Sequence, residues 1–124
     1  MIKEKAESTN QLVNSVLNGI QEVKGNDIKY LDLRKLNNSI CDYFVICHGN
    51  SPTQVKAIAN KIQEETEKVL HEIPWKVQGY ENAQWILLDY VDVVVHVFHK
   101  DARAFYNLEE LWADAETNEI VYQV

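Results

Sequence analysis

The sequence predicts one domain of mixed α/β (α+β) class, in which helices flank a mixed sheet. Three observations support this prediction. The chain has 124 residues, 46% apolar and 25% charged, which is typical of a domain with a single core. Stretches with helical periodicity alternate with short apolar stretches typical of strands. Helix-length segments between strands favour crossover connections and therefore a mixed sheet. Residues 1–124 are expected to form this one domain.

The first quarter of the chain is predicted to be an amphipathic helix. Its apolar residues recur at steps of three and four, namely Leu12, Val13, Val16, Leu17, Ile20 and Val23. Gly25 is placed to end this helix. Two strands follow, "DIKYLDL" and "DYFVICH". Residues 43–47 of the second strand are apolar without alternation, which indicates a central strand covered on both faces.

A second helix is predicted to begin at Ser51. Ser51 is a suitable N-cap, Pro52 suits the first helical position, and Gln54 completes a capping box. Its expected buried stripe consists of Val55, Ile58, Ala59, Ile62, Thr66 and Val69.

The remaining chain returns to strands and ends in a helix. The segments "WKVQGY", "QWILLDY" and "DVVVHVF" bring the number of predicted strands to five. Asp101 is expected to open a short final helix, "ARAFYNLEELW". Residues 113–124 are expected to form a polar, acidic tail.

Composition excludes several classes of function. No apolar run approaches the roughly 18 residues of a membrane-spanning helix, and "MIKEKAESTN" lacks the features of a secretory signal, so a cytoplasmic protein without membrane contact is expected. Twelve basic and nineteen acidic residues give a net charge of −7, which would repel a nucleic-acid backbone and attract a basic partner. The two cysteines, Cys41 and Cys47, are expected to be reduced thiols.

The stretch "LLDYVDVVVHVFHK", residues 87–100, is the main candidate for chemistry. Asp92 and His96 share a strand face but lie roughly 13 Å apart along it, too far for an acid–base pair. His96 and His99 point to opposite faces, which argues against a metal site built on both. Asp89 and Asp92 have two open interpretations. They are turn residues that accept backbone N–H groups, or they are paired carboxylates that bind magnesium.

Aromatic residues are concentrated in the last fifty positions. They include Trp75, Tyr80, Trp85, Tyr90, Phe98, Phe105, Tyr106 and Trp112. A domain of this size cannot easily bury all of them, and an exposed Trp or Tyr on a sheet is the residue type that anchors protein interfaces. Residues 87–100 and the aromatic residues near them are therefore interpreted as a surface that binds another molecule.

The segment "WILLDYVDVVVHVFHKDARAFYNLEELW" resembles the ribosome silencing factor family, also called Iojap-like. The residues that carry the resemblance at the family's spacing are Trp85, Asp89, Asp92, His96, Arg103, Tyr106, Leu108, Glu109, Leu111 and Trp112. The segments "STNQLVNSVLNGIQEVKGNDIKYLDL" and "CDYFVICHGNSPTQVKAIANKI" are also similar to the family. Two residues depart from its pattern. His48 stands where relatives usually have a small residue or Thr, and Val91 where many have Gly at the bend.

The resemblance implies a fold similar to nucleotidyltransferases, with a mixed five-stranded sheet but without their catalytic apparatus. That apparatus requires carboxylates spaced as Asp-x-Asp, which does not occur in this sequence. The resemblance also implies a non-enzymatic protein with no cofactor and no metal. Members of the family bind the basic protein number fourteen of the large ribosomal subunit, block joining of the small subunit, and form homodimers when free.

The partner-binding residues expected on this basis are Trp85 and Tyr90 as apolar anchors, Asp89 and Asp92 as partners for Lys or Arg, and His96 and Tyr106 as hydrogen-bonding neighbours. For Arg103, a partner contact and a structural ion pair are both open. The alternative function is a metal-dependent nucleotide-handling enzyme on a nucleotidyltransferase-like scaffold. It would use Asp89 and Asp92 together with the turn at Gly49.

Overall fold

The computed structural model describes residues 2–36 and 40–120, with side chains from residue 7 onward. The predicted elements all occur in the predicted order. They are α1 (Ile2–Glu22), β1 (Asn26–Asp32), β2 (Tyr43–Gly49), α2 (Pro52–Leu70), β3 (Lys76–Gln78), β4 (Trp85–Asp89), β5 (Val93–His99), α3 (Lys100–Tyr106), α4 (Leu108–Leu111) and β6 (Glu116–Glu119). No helix in the described ranges is both long enough and apolar enough to cross a membrane.

The strands form a mixed sheet with the order β3-β4-β5-β2-β1-β6, which confirms the predicted fold class. β2 and β5 are parallel, and every other neighbouring pair is antiparallel. The expected count of five strands is wrong. Glu116–Glu119, which lie in the predicted acidic tail, pair with Lys29–Asp32 of β1. Their polar sequence gave no strand signal, but the outer edge of β1 offers unpaired backbone groups that this segment satisfies.

Helices α1 and α2 cover one face of the sheet, and the main core lies between them and the strands. Its fully buried side chains include Val16, Ile20, Ile58 and Ile62. The two helices approach closely at Gly19, where an added Cβ would lie 3.0 Å from the Ile62 Cα. The predicted faces of both helices are thereby largely confirmed.

Val69 is the exception to the predicted buried stripe of α2. Its side chain is 55% exposed, so this prediction is wrong. Val69 lines a surface depression with Gln11, Asn14 and Asn18 of α1. The helical period places Val69 toward α1, but it meets the polar part of that helix.

The predicted start of α2 is confirmed. Ser51 Oγ accepts the Gln54 N–H at 3.1 Å, and Gln54 Oε1 accepts the Asn50 N–H at 2.7 Å. The predicted final helix is interrupted, because Asn107 adopts φ 48° between α3 and α4. The N-cap of α3 is His99 rather than Asp101, and His99 Nδ1 accepts the Asp101 N–H at 3.2 Å.

Candidate functional site

The face of the sheet opposite α1 and α2 is covered only in part. Strand alternation places six side chains of β4 and β5 on it, which we call the open face: Trp85, Leu87, Asp89, Val94, His96 and Phe98. The short helices α3 and α4 contribute Ala102 and Leu108 at one end of this face. The β4–β5 turn lies at the other end. Two of the three β4 side chains here are apolar, and all three are partly accessible to solvent.

Trp85 is held in a fixed position on the open face. Its indole Nε1–H donates to His96 Nδ1 at 3.1 Å. The ring centroid of Phe98 lies 4.8 Å from that of Trp85, and the centroid of Tyr106 lies 5.0 Å away. A partly exposed aromatic side chain with its polar atom already paired loses little rotational freedom on binding, so the position of Trp85 is suited to contact with another molecule.

His96 supports Trp85 and is itself buried, with 4% of its surface exposed. Burial lowers the pKa of His96 to about 3, so the ring is neutral near pH 7. Since Nδ1 accepts the indole proton, the ring proton resides on Nε2. Nε2 has no hydrogen-bond partner among the residues that the structure describes. The predicted role of His96 as a direct neighbour of a partner conflicts with this burial, and its Nδ1 is already bonded to Trp85.

Tyr90 lies on the opposite face, in the core beneath α2. Its side chain is 9% exposed, and its hydroxyl is 2.9 Å from Thr66 Oγ1. Burial raises the pKa of Tyr90 to about 12. The expectation that Tyr90 is an accessible apolar anchor is therefore wrong. The residue follows Asp89 at the end of β4, and alternation places it with Ile86 and Leu88 in the core.

Both aspartates lie at the β4–β5 turn, Asp89 as the last residue of β4 and Asp92 directly before β5. Asp89 Oδ1 accepts the Val91 N–H at 2.8 Å, which confirms the interpretation of Asp89 as a turn residue. The Asp92 N–H donates to the Tyr90 carbonyl at 3.1 Å, across Val91 with φ 78°. This three-residue turn demands a conformation that favours glycine, the residue expected from the family pattern. Val91 adopts it with strain.

The alternative nucleotide site is not assembled. Asp92 lies beside the start of β2, where its carbonyl accepts the Asp42 and Tyr43 N–H groups. Gly49 lies at the other end of β2 and pairs with His99. Six strand residues separate these two places, a distance of about 20 Å. Within residues 2–36 and 40–120, no three acidic, histidine or cysteine side chains come together as metal ligands.

Sequence reasoning missed a groove at the turn end of the open face. It has a volume of about 370 Å³ and is lined by Ile40, Trp75, Asp89, Val91 and Val94. Trp75 and Ile40 are each 75% exposed. Pro74 directly before Trp75 is a sequence signal for an exposed position, because proline in a sheet is confined to edge strands, strand starts and bulges.

Tyr106 lies at the opposite end of the open face. It is 52% exposed, contacts Trp85 and packs edge-on against Phe105, with the ring centroids 5.1 Å apart. Accessible apolar surface thus occurs at both ends of β4. One end is formed by Tyr106 and Trp85 and the other by the groove.

Arg103 has a structural role. Its Nε donates to Glu109 Oε1 at 2.8 Å and its Nη1 donates to the Asp27 carbonyl at 2.7 Å. Asp27 belongs to a bulge in β1, so Arg103 joins α3 to that bulge and to α4. Nη1 also lies 2.9 Å from His48 Nδ1, and burial together with this guanidinium lowers the pKa of His48. Of the two open interpretations of Arg103, the structure supports the ion pair.

Known proteins resemble the chain over most of its length. A family model described as "Ribosomal silencing factor during starvation" matches residues 6–123. The ribosomal silencing factor of Halalkalibacterium halodurans is 44% identical over 113 residues, which cover 91% of this chain and 95% of that protein. The corresponding protein of Bacillus subtilis is 48% identical over 92 residues, covering 74% and 76%.

Two solved structures have folds similar to that of this chain. A crystal structure from Bacillus halodurans superposes with a TM-score of 0.76 at 40% identity and covers 90% of this chain and 99% of that one. A crystal structure from Chromobacterium violaceum gives a TM-score of 0.79 at 32% identity, with 91% and 92% covered.

Proposed function

This chain belongs to the ribosomal silencing factor family, and on that premise we propose that it represses translation by occupying the joining surface of the large ribosomal subunit. Its partner there is the basic protein number fourteen of that subunit. The bound chain excludes the small subunit by volume, without catalysis, cofactor or metal. Its place of action is the cytoplasm, where ribosomes assemble on messages.

The observation that carries this proposal is the preorganised Trp85 on the open face. Its indole is fixed by His96 and flanked by Tyr106, so binding a partner requires little ordering. Tryptophan and tyrosine are enriched among the residues that dominate interface energies. Trp85 and Tyr106 therefore form the proposed apolar contact. His96 acts through Trp85 rather than by touching the partner.

Acidic residues give the open face its proposed polarity. Asp89 lies on β4, four residues from Trp85, and Asp92 follows in the adjacent turn. With a net charge of −7, the chain attracts a basic protein over distances longer than a contact. Charge therefore sets the association rate in this proposal, and the aromatic contact sets the dissociation rate.

Co-sedimentation tests the proposal directly. The purified protein should pellet with isolated large ribosomal subunits and reduce the yield of joined ribosomes when small subunits are added. Trp85→Ala should weaken binding by about 2 kcal/mol, roughly thirtyfold. Val69→Ala is the matched control, because Val69 is an exposed apolar residue on α2, which covers the opposite face. This variant should bind as the unmodified chain does. A wild-type protein that stays in the supernatant at micromolar concentration contradicts the proposal.

The free chain is proposed to form a homodimer. Light scattering after size exclusion measures this state, and adding large subunits tests whether dimer and subunit compete for one surface. If Trp85→Ala dissociates the dimer but leaves subunit binding unchanged, the open face serves self-association instead.

A nucleotide-handling activity is tested by incubating the protein with nucleoside triphosphates and magnesium. Asp92→Asn is the control, since the alternative assigns Asp92 to the metal. Turnover that the variant lacks would overturn the non-enzymatic proposal.

A further inference from the structure

The groove at the turn end of the open face combines apolar walls with one acidic side chain. Trp75, Ile40 and Val91 are exposed by 75%, 75% and 60% of their surfaces. Three large apolar side chains that share one depression, all exposed, are unusual for surface residues without a partner. Asp89 and Val94 complete the lining, and both belong to the open face. The groove is therefore continuous with the surface proposed to bind the ribosome.

Asp89 supplies a negative charge to the groove, and its cross-strand neighbour on β3 is Lys76. Asp89 uses Oδ1 to accept the Val91 N–H, which leaves Oδ2 for another donor. No ion pair within the described part of the chain involves Asp89. Asp42 lies at the same end of the sheet, where its N–H donates to the Asp92 carbonyl at 2.9 Å. An anionic ligand such as a phosphate would be repelled here, and a cation would be attracted.

The shape and chemistry of the groove fit one type of side chain. An arginine has an aliphatic stem that can pack on Ile40, Val91 and Val94. Its planar guanidinium can stack on the Trp75 ring while donating to the Asp89 carboxylate. A lysine ammonium is a compact, strongly hydrated charge and gains less from stacking on a flat ring.

We propose that this groove receives one arginine side chain of the basic protein partner. The inference rests on the proposed function for the identity of the partner, and it names the chemistry of a second contact some distance from Trp85. Trp85 and Tyr106 form an apolar contact at one end of β4, and the arginine site lies at the other end. Two separated contacts of different chemistry fix the orientation of the bound chain.

The first test measures affinity for purified large ribosomal subunits. Asp89→Asn retains an oxygen for the Val91 N–H and removes only the charge, so the turn is preserved. Trp75→Leu retains apolar bulk and removes the aromatic face. Each variant should weaken binding about tenfold. The double variant should lose little more than either single variant, because both residues hold the same guanidinium. Glu64→Gln and Val69→Ala on α2 are the matched controls and should have no effect.

Salt dependence distinguishes the charge from the stacking surface. Binding by Asp89→Asn should depend less steeply on salt concentration than binding by the wild type, whereas Trp75→Leu should retain the wild-type slope. If both variants bind like the wild type while Trp85→Ala is weakened, the groove is not part of the contact. The arginine proposal is then wrong, and the proposed function stands.

The second test does not involve the ribosome. The probes are the peptide acetyl-Gly-Arg-Gly-amide and its citrulline analogue, which has the same shape without the charge. The ¹H–¹⁵N signal of the Trp75 indole, assigned with Trp75→Phe, should shift saturably with the arginine peptide at millimolar concentration. It should shift little with citrulline and not at all in Asp89→Asn. Equal shifts for both peptides would overturn the proposal. A positive peptide result with no subunit binding would instead refute the proposed function alone.

Discussion

The two faces of the sheet use the same strands for different purposes. Ile86, Leu88 and Tyr90 point toward α1 and α2, and the buried Tyr90 hydroxyl there has a partner within the chain at Thr66. Trp85 and Asp89 point the other way and remain partly accessible. The comparison shows that exposure, not residue type, separates an aromatic side chain that is available for contact from one that belongs to the core. Mutations on the two faces should therefore affect stability and binding separately.

The largest expected effect at neutral pH is on the helix-covered face. Ile62→Ala should lower the free energy of unfolding by about 3 kcal/mol, because Ile62 is fully buried between α1, α2 and the sheet. Urea denaturation measures this loss. At a temperature where the variant is folded, its affinity for large subunits should equal that of the wild type. A variant that is stable but binds weakly would break the separation between the faces.

The next effect concerns pH and sharpens the role of His96. Its folded pKa of about 3 lies below the ordinary value of 6.5, so the unfolded chain binds a proton between these values and the folded chain does not. Stability is therefore fully present above about pH 6.5 and falls as pH decreases, by up to about 1.4 kcal/mol per pH unit from this residue.

The control for this pH effect is His96→Gln, which cannot titrate and still offers an acceptor to the Trp85 indole. Its unfolding free energy should depend less on pH between 6.5 and 3 than that of the wild type. The lowered pKa of His48 is common to both proteins and cancels in the difference. Identical pH profiles would show that His96 is solvated in the folded chain.

A smaller effect tests the burial of Tyr90. Tyr90→Phe removes the hydroxyl that pairs with Thr66 Oγ1, and should reduce stability by about 1 kcal/mol. Subunit binding should be unchanged, in contrast to Trp85→Ala. Thermal denaturation and co-sedimentation of the same preparation provide both measurements. Weakened binding with normal stability would show that Tyr90 contributes to the contact with the large subunit.

The smallest effect concerns Val91 in the β4–β5 turn. Val91→Gly relieves the strain at φ 78° but adds flexibility to the unfolded chain, so the net gain in stability should be about 0.5 kcal/mol. Chemical denaturation of the free protein measures it. Val91→Ala leaves the positive φ in place and should give no gain, which makes it the matched control. A destabilised Val91→Gly would show that packing of the Val91 side chain outweighs the strain.

Several features were predictable from sequence because local chemistry decides them. The start of α2 depends on Ser51, Pro52 and Gln54, which lie within one turn of each other, so the cap could be identified without the fold. The turn role of Asp89 also depends on a contact two residues away. Strand alternation also places His96 on the same face as Val94 and Phe98, and its ring centroid lies 6.2 Å from that of Phe98.

Other features required knowledge of distant parts of the chain. The exposure of Val69 depends on the polar residues of α1 that it faces, more than fifty positions earlier. The sixth strand forms because β1 has a free edge, although "ETNE" has little strand propensity of its own. The groove combines Ile40, Trp75 and Val91, which come from three separate segments.

The sequence by itself determined the order of the elements, the helix cap, the acidic charge and the family, because each depends on residue types and short spacings. The tertiary structure decided which aromatic residues are accessible. Trp85 begins β4 and Tyr90 directly follows it, yet Tyr90 pairs with Thr66 in the core and Trp85 with His96 on the open face. The physical reason is that α1 and α2 pack on one side of the sheet only. Whether a side chain is buried depends on its strand and on the element that packs against that strand. The sequence of the strand describes only the first of these two surfaces.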